Sequence, residues 1–272
     1  VAFGDNSLTA NTTADNNSAF GYRALAANTT GTRLVAIGAN ALDANTTANN
    51  NVAIGYDSLT ATTTGAHNTA TGTYTLSANT TGAQNTGLGY GALYTNTTAS
   101  DNTAVGYQAM LYNTTGSNNV AVGRGALTAN TTADYNTAIG KGSLTSNTTG
   151  ANNCALGYNA LAVNTTGTQN TAVGVLAADA VTTGNYNTAV GYNAYGAATT
   201  GTFNMAFGNQ AMGGGVVTGT RNTACGNGAL YDLTSGADNI GVGYDSLANI
   251  TTGAYNVAVG KDSLKTVTTA ND

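Results

Sequence analysis

The chain contains no proline and no tryptophan, and among its 272 residues there is no glutamate. Only 7% of the residues are charged and the net charge is −5. The basic residues form no stripe along the sequence. Disordered low-complexity chains are usually rich in charge and proline, whereas 41% of these residues are apolar. The composition therefore predicts a chain that buries a core and has neither nucleic acid nor an anionic membrane as a partner.

The residue types that carry most chemistry are equally scarce. His67 is the single histidine and lies at a variable position, and no pair of carboxylates recurs for acid–base catalysis. Cys154 and Cys225 lie far apart where related positions are apolar or threonine, which indicates small buried hydrophobes. Zinc requires clusters of cysteine and histidine that this chain lacks. We expect no enzyme, no metal and no cofactor.

No apolar run reaches 18 residues, so the sequence predicts no membrane span and no membrane contact in this segment. The chain opens at Val1 in the middle of a repeat. We interpret it as a fragment of a longer fibre protein.

A 17-residue repeat runs through the whole chain. It is marked by a glycine after a short apolar run, at Gly4, Gly21, Gly38, Gly55, Gly72, Gly89, Gly106, Gly123, Gly140, Gly157, Gly174, Gly191, Gly208, Gly226, Gly243 and Gly260. Only the step from Gly208 to Gly226 is 18, near Gly213. The sixteen copies without spacers predict a single repeat domain over 1–272.

With that glycine placed at position 5, the consensus is N-T-A-(V/I)-G-Y-x-A-L-x-A-N-T-T-G-x-x. Seventeen residues are too few for a helix pair, and positions 2 to 4 are β-formers. Glycine is common at positions 5 and 15, which indicates turns. The pattern predicts strand, turn, strand, turn, stacked into an all-β parallel β-solenoid of sixteen coils with a rise of about 4.8 Å each.

The strand has two faces of different character. Positions 2 and 4 share one face and position 3 lies on the other, because side chains alternate along a strand. Position 4 is large and apolar in most copies, while position 3 is alanine except at Gly87 and Gly241. Neither face carries charge, and a strand buried on both faces needs a second layer of protein. We therefore expect self-association, with leucine at position 9 filling the core and positions 6, 7, 16 and 17 outside.

The Asn-Thr-Thr phrase at positions 12 to 14 changes along the chain. Position 12 is asparagine in nine of the first ten copies, at Asn11, Asn28, Asn45, Asn79, Asn96, Asn113, Asn130, Asn147 and Asn164. Later copies have Val181, Ala198, Val216, Leu233, Ile250 and Val267. An inward ladder of stacked amides could be replaced by an apolar file, whereas an exposed position would not drift in this way. A structural asparagine ladder is favoured, and N-glycosylation of the same residues is the alternative.

The phrases N-T-A-V-G-Y and N-V-A-I-G-Y resemble the N-S-V-A-I-G phrase of YadA-like head repeats in trimeric autotransporter adhesins. They are also similar to the N-T-A-I-G-Y-x-A-L-x-x-N-T-T-G repeats of long phage tail-fibre and bacterial surface proteins. The resemblance covers the whole chain. It implies a left-handed parallel β-roll, assembled as a parallel homotrimer, in an extracellular fibre on a cell surface or a virion. The 17-residue spacing is longer than that of YadA heads and implies a wider coil.

Three functions are compatible with these patterns. The first is a non-enzymatic structural or adhesive fibre segment that projects something or mediates attachment to a surface. The second is binding of surface glycans or a host receptor through tyrosines, which are flat and amphipathic, at position 6: Tyr22, Tyr56, Tyr90, Tyr107, Tyr158, Tyr192 and Tyr244. The third is ice binding through the threonine file at position 13, which we expect to face outward. The first function is favoured, because the tyrosines occur irregularly.

Overall fold

The computed structural model describes residues 1–271, and within that range the chain is all-β with no helix. Each repeat contributes one short strand of two or three residues. The strands are β1 (Ala2–Phe3), β2 (Ser18–Phe20), β3 (Val35–Ile37), β4 (Val52–Ile54), β5 (Thr69–Thr71), β6 (Thr86–Leu88), β7 (Thr103–Val105), β8 (Val120–Val122), β9 (Thr137–Ile139), β10 (Cys154–Leu156), β11 (Thr171–Val173), β12 (Thr188–Val190), β13 (Met205–Phe207), β14 (Thr223–Cys225), β15 (Ile240–Val242) and β16 (Val257–Val259).

The chain forms two compact units, the first from Val1 to Tyr135 with β1 to β8 and the second from Asn136 onward with β9 to β16. Within each unit, every strand pairs in parallel with the next in sequence. Ala36 faces Ala53 in the first unit, and Ala155 faces Ala172 in the second. One repeat is thus one coil, which confirms the predicted parallel β-solenoid. The prediction of one domain over 1–272 stays a prediction.

A second strand in each repeat was predicted and is absent from residues 1–271. Positions 12 to 15 form a bend instead, in which the position 13 backbone still bonds to the next coil. Thr29 N donates to Thr46 O at 3.0 Å, and Thr148 N to Thr165 O at 2.9 Å. The prediction of a second strand was wrong because the backbone carbonyl at position 15 is bonded by asparagine side chains and not by a continuous backbone ladder.

The interior of the coil is narrow. Alanine at position 3 is fully buried, as in Ala36 and Ala104, together with leucine at position 9. Positions 2 and 4 point outward, so Ile37 and Ile54 remain about two-fifths exposed at 42% and 37%. The two strand faces therefore differ as predicted. The small side chains of position 3 lie in the coil interior, and the larger side chains of positions 2 and 4 lie on its outer surface.

The turn after each strand depends on left-handed backbone. At position 5, Gly38 has a φ of +132°, and a Cβ there would lie 2.5 Å from the carbonyl oxygen of Gly55. Leucine at position 9 also adopts this region, with a φ of 55° at Leu25 and 54° at Leu93. That conformation costs a leucine about 1–2 kcal/mol, while its burial gains about 1.5–3 kcal/mol. The core leucines therefore stabilise the turn despite its strain.

Gly87 provides a test of how tightly the interior is packed. A Cβ added to Gly87 would lie 2.5 Å from Thr75 Cγ2. The equivalent two residues one coil earlier are Ala70 and Ser58, so a position 3 alanine there lies beside a serine and not a threonine. We predict that Gly87→Ala destabilises the chain by about 1–3 kcal/mol, the usual cost of overpacking. Adding Thr75→Ser, which removes only the methyl group, should restore most of this loss in urea unfolding. Equal unfolding midpoints for wild type and Gly87→Ala would show that the interior is not closely packed.

Candidate functional site

The backbone carbonyl at position 15 accepts an asparagine side-chain amide in every coil. The acceptors are Ala14, Gly31, Ala48, Gly65, Gly82, Ala99, Gly116, Ala133, Gly150, Gly167, Gly184, Gly201, Gly219, Gly236, Gly253 and Ala270. Asparagines at positions 1 and 12 donate these bonds, and in many coils both do. The carbonyl of Ala99, for example, accepts Nδ2 of Asn85 at 2.8 Å and Nδ2 of Asn96 at 3.0 Å.

Asparagine at position 1 makes a further bond that no apolar residue can replace. The Oδ1 of Asn85 accepts the backbone N–H of Asn102, the same position one coil later, at 3.1 Å. Position 1 is asparagine in every copy that includes it except Leu34. In that coil the carbonyl of Ala48 accepts Asn45 from position 12 instead, at 3.3 Å. The sequence predictions did not include this file, although its near invariance was visible.

The structure places the position 12 asparagines in the interior, as the ladder hypothesis requires. Asn28 to Asn164 are fully buried, while Asn11 in the first coil is half-buried. Asn45 Nδ2 donates to Asn28 Oδ1, and Asn164 Nδ2 to Asn147 Oδ1, both at 2.8 Å. A glycan on a buried amide would have no space in this fold.

The ladder of bonded amides ends where the position 12 residue of the next coil does not donate to the asparagine before it. Among residues 1–271, Oδ1 of Asn45 and Oδ1 of Asn164 are buried without a partner. Thr62 occupies position 12 in the coil after Asn45, and its hydroxyl donates to the carbonyl of Asn79 at 3.1 Å. Val181 follows Asn164 and has no donor in its side chain. These two oxygens mark the places where the ladder is interrupted or replaced.

The change to apolar residues at position 12 has a physical explanation. Val181, Leu233 and Ile250 are fully buried, and the position 15 carbonyls of these coils keep their bond from position 1. The carbonyl of Gly184, for example, still accepts Nδ2 of Asn170 at 2.8 Å. Position 12 can therefore lose its amide without leaving that carbonyl unpaired.

One member of the apolar series was misassigned. Val216 is 55% exposed, whereas Val217 is fully buried. The carbonyl of Val217 accepts Thr199 N at 3.2 Å, which is the bonding role of position 13. The extra residue near Gly213 thus turns Val217 inward, and the assignment of Val216 to the inward file was wrong.

Tyr195 replaces leucine at position 9 in the coil where position 12 is only Ala198, and both are buried. Its hydroxyl accepts Nδ2 of Asn204 at 2.6 Å. Burial raises the pKa of the Tyr195 phenol well above its usual value. The larger ring occupies interior volume that the small Ala198 leaves, so this substitution is structural.

Asn85 and Asn96 form a matched pair for mutation, because both bond the carbonyl of Ala99. We predict that Asn85→Val costs about 3 kcal/mol, since it removes one bond to Ala99 and the acceptor of the Asn102 N–H. Asn96→Val should cost less, about 1–2 kcal/mol, because Asn85 still bonds Ala99 and the main loss is the donor to Asn79 Oδ1. Urea unfolding midpoints measure the difference. Equal losses in the two variants would contradict distinct roles for positions 1 and 12.

The outer face of the strands is uncharged and partly exposed in both units, with mostly apolar side chains at position 4 and a mixture of apolar residues, threonine and serine at position 2. It carries Phe3, Phe20, Ile37, Ile54 and Leu88 in the first unit, and Ile139, Leu156, Met205, Phe207, Ile240, Val257 and Val259 in the second. No charged residue occurs at positions 2 or 4 in any copy. We call these residues the apolar strip of each unit.

The two cysteines also lie on this face. Both are free thiols, with Cys154 half-buried and Cys225 exposed. The prediction that they are buried hydrophobes was wrong, because positions 2 and 4 face outward. They replace other side chains on the apolar strip of the second unit.

The position 6 tyrosines are exposed by 44% to 51%, at Tyr158, Tyr90, Tyr56, Tyr107, Tyr22, Tyr192 and Tyr244. They do not form an uninterrupted file, since Ala39 and Thr73 separate the first three in the first unit. Basic side chains lie over some of these rings, such as Arg124 at 5.7 Å from the Tyr107 centroid and Lys141 at 5.5 Å from that of Tyr158. The negative charge of Asp57 raises the pKa of Tyr56.

Tyrosines from other positions join them in the first unit. Tyr74 packs edge-on against Tyr56, Tyr90 and Tyr94, with ring centroids 5.5, 5.9 and 6.1 Å away. Tyr90 stacks on Tyr107 at 5.4 Å. The sequence predictions named neither Tyr74 nor Tyr94, because these residues occupy positions 7 and 10 and meet the others only when the coils stack.

The threonine files differ from the prediction. Position 13 hydroxyls donate to the carbonyl of the same position in the next coil, for example Thr29 to Thr46 at 3.0 Å and Thr165 to Thr182 at 3.1 Å. These side chains are mostly half-buried, while position 14 threonines such as Thr30 are exposed. The outward file proposed for ice binding was therefore assigned to the wrong position.

The remaining ionisable side chains are few and scattered along the chain. His67 is exposed, and among residues 1–271 no three His, Cys, Asp or Glu side chains are grouped closely enough to hold a metal ion. Arg221 lowers the pKa of Asp238 by hydrogen bonding to it on the surface. The described part of the chain also contains no helix with the length and hydropathy to cross a membrane. No family model matches the chain, and no curated protein matches it.

Proposed function

We propose that this chain is a non-enzymatic structural or adhesive segment of an extracellular fibre, on a cell surface or a virion, and that it assembles with copies of itself. The apolar strip carries the proposal. In each unit it places large, uncharged side chains at 37% or more exposure on the outer strand face, at Ile54 and Ile139 among others. A segment of this kind projects something or attaches it to a surface.

The strip has the character of a surface that another protein covers. Soluble monomers rarely expose a contiguous apolar patch of more than a few hundred Å², and each Å² removed from water gains about 25 cal/mol. The strand residues repeat from coil to coil with the spacing of a parallel sheet, about 4.8 Å. A second copy of this chain has the same period and can match the strip coil by coil. The favoured partner is therefore the chain itself.

Closed rotational symmetry would bury the strip of every copy around one axis. The resemblance to trimeric adhesin repeats supports three parallel copies, a left-handed coil and an extracellular location. The non-enzymatic part of the proposal rests on residue supply, since the chain has one histidine and no glutamate. Attachment to a surface would then depend on the side chains at positions 6, 7, 16 and 17.

Charges placed on the strip test the assembly. We predict that the double variant Ile37→Lys, Ile54→Lys sediments as a monomer with unchanged circular dichroism, because each lysine would have to be desolvated in the interface. The control variant His67→Lys, Gln84→Lys adds the same charges at exposed position 17 and should remain oligomeric. Analytical ultracentrifugation measures both masses.

Two results would contradict the proposal. One is a wild-type chain that is a folded monomer at micromolar concentration. The other is an oligomer whose mass the strip lysines leave unchanged, since the copies would then meet through another face.

A further inference from the structure

We propose that the first unit binds neutral sugar residues of a glycan in a tyrosine-lined groove. The groove has a volume of about 390 Å³ and is lined by Tyr74, Tyr90, Gly91, Tyr94, Gln108, Leu111 and Tyr112. This volume lies within the range of small-molecule sites, about 300–1,000 Å³. Of the seven position 6 tyrosines, only Tyr90 lines the groove. The site is therefore distinct from a simple file along that position.

The groove exists because position 7 is glycine in one coil. Position 7 is Tyr74 in one coil, Gly91 in the next and Gln108 in the one after. Gly91 has a φ of +63°, and a Cβ there would meet only Leu111 Cδ1 at 3.4 Å and Gln108 Cγ at 3.8 Å. The space above Gly91 is thus bounded by tyrosines and by Gln108 from neighbouring coils.

The tyrosine rings are held in place by one another. The rings of Tyr90 and Tyr94 stand at 86° and 85° to the ring of Tyr74 and contact it edge-on. Tyr94 and Tyr112 keep 41% and 53% of their surface exposed. A ring cluster of this kind presents flat apolar surface with little conformational freedom left to lose on binding.

The chemistry of the groove fits a sugar ring. The C–H face of a pyranose packs on an aromatic ring as other apolar groups do, while phenolic hydroxyls both donate and accept. The Gln108 amide adds donors and an acceptor for sugar hydroxyls. None of the seven lining residues is charged, so an anionic sugar would lose its hydration without gaining a cation. These features favour a neutral glycan.

The second unit contains a groove built in the same positions but with different chemistry. It surrounds Gly228, which is also at position 7, and includes Tyr231 and Tyr244 in about 300 Å³. There Lys265 Nζ lies 2.7 Å from Asp245 Oδ2, so an ion pair borders the space. The groove in the first unit is the uncharged version of this arrangement and is the one to which we assign a neutral ligand.

The groove lies in the turn at positions 6 to 11, away from the apolar strip at positions 2 and 4. Sugar binding and self-association therefore use different residues. Loss of one in a variant need not remove the other, and the proposed site does not rest on the proposed assembly.

An array of immobilised oligosaccharides tests the site with the full chain. The probes are neutral oligomers of glucose, galactose, mannose and N-acetylglucosamine, beside sialylated and sulfated glycans and a proline-rich peptide. We expect binding to at least one neutral oligomer, and about tenfold weaker binding for Tyr94→Ala and for Tyr112→Ala. Gly91→Asn should abolish binding, because asparagine keeps this backbone at Asn40 and Asn159 of the same position while filling the space.

Tyr158→Ala is the matched control, since Tyr158 is 44% exposed and lies in the second unit. It should bind as the wild type does, and thermal melting verifies that every variant is folded. Failure to bind any neutral oligomer would overturn the proposal. So would binding confined to the charged glycans or the peptide, or unchanged binding by Gly91→Asn.

Discussion

The hydrogen bond from an asparagine amide to the position 15 carbonyl is the interaction on which the rest of the structure depends. This carbonyl follows the bend at positions 12 to 14 and needs a partner once it is buried. Asparagine at position 1 or at position 12 supplies that partner in each coil, as Asn17 and Asn28 do for Gly31. Position 1 is the stricter of the two, because its Oδ1 also accepts a backbone N–H one coil later.

The asparagine files determine how wide the coil can be. Side-chain amides occupy the space between the bend and the strand, and the remaining interior admits alanine at position 3 and leucine at position 9. Larger strand residues are therefore displaced to the outer face, where Phe20 and Phe207 remain substantially exposed. This geometry supports the proposed self-association, because the same constraint that closes each coil leaves its apolar strip uncovered.

Much of the fold could be predicted from the sequence, because a strict period fixes which residues stack. The parallel solenoid, the opposite faces of positions 3 and 4 and the buried leucines all follow from it. Alternation alone does not say which face is inside, so Ala36 and Ile37 could not be assigned without the coil width. The break at Val217 and the cluster of Tyr74, Tyr90 and Tyr94 also lay beyond the pattern, since they depend on a local bulge and on contacts between different repeat positions.

The central claim is that asparagine amides form bonded files inside the coils. Hydrogen exchange of the side-chain amides, followed by NMR on chain labelled with ¹⁵N at asparagine, tests it most directly. The account predicts that buried position 1 amides such as Asn85 and Asn102 exchange far more slowly than those of exposed Asn118 and Asn152, because exchange of a bonded interior amide requires local opening. Uniformly fast exchange of all asparagine amides in the folded chain would contradict it.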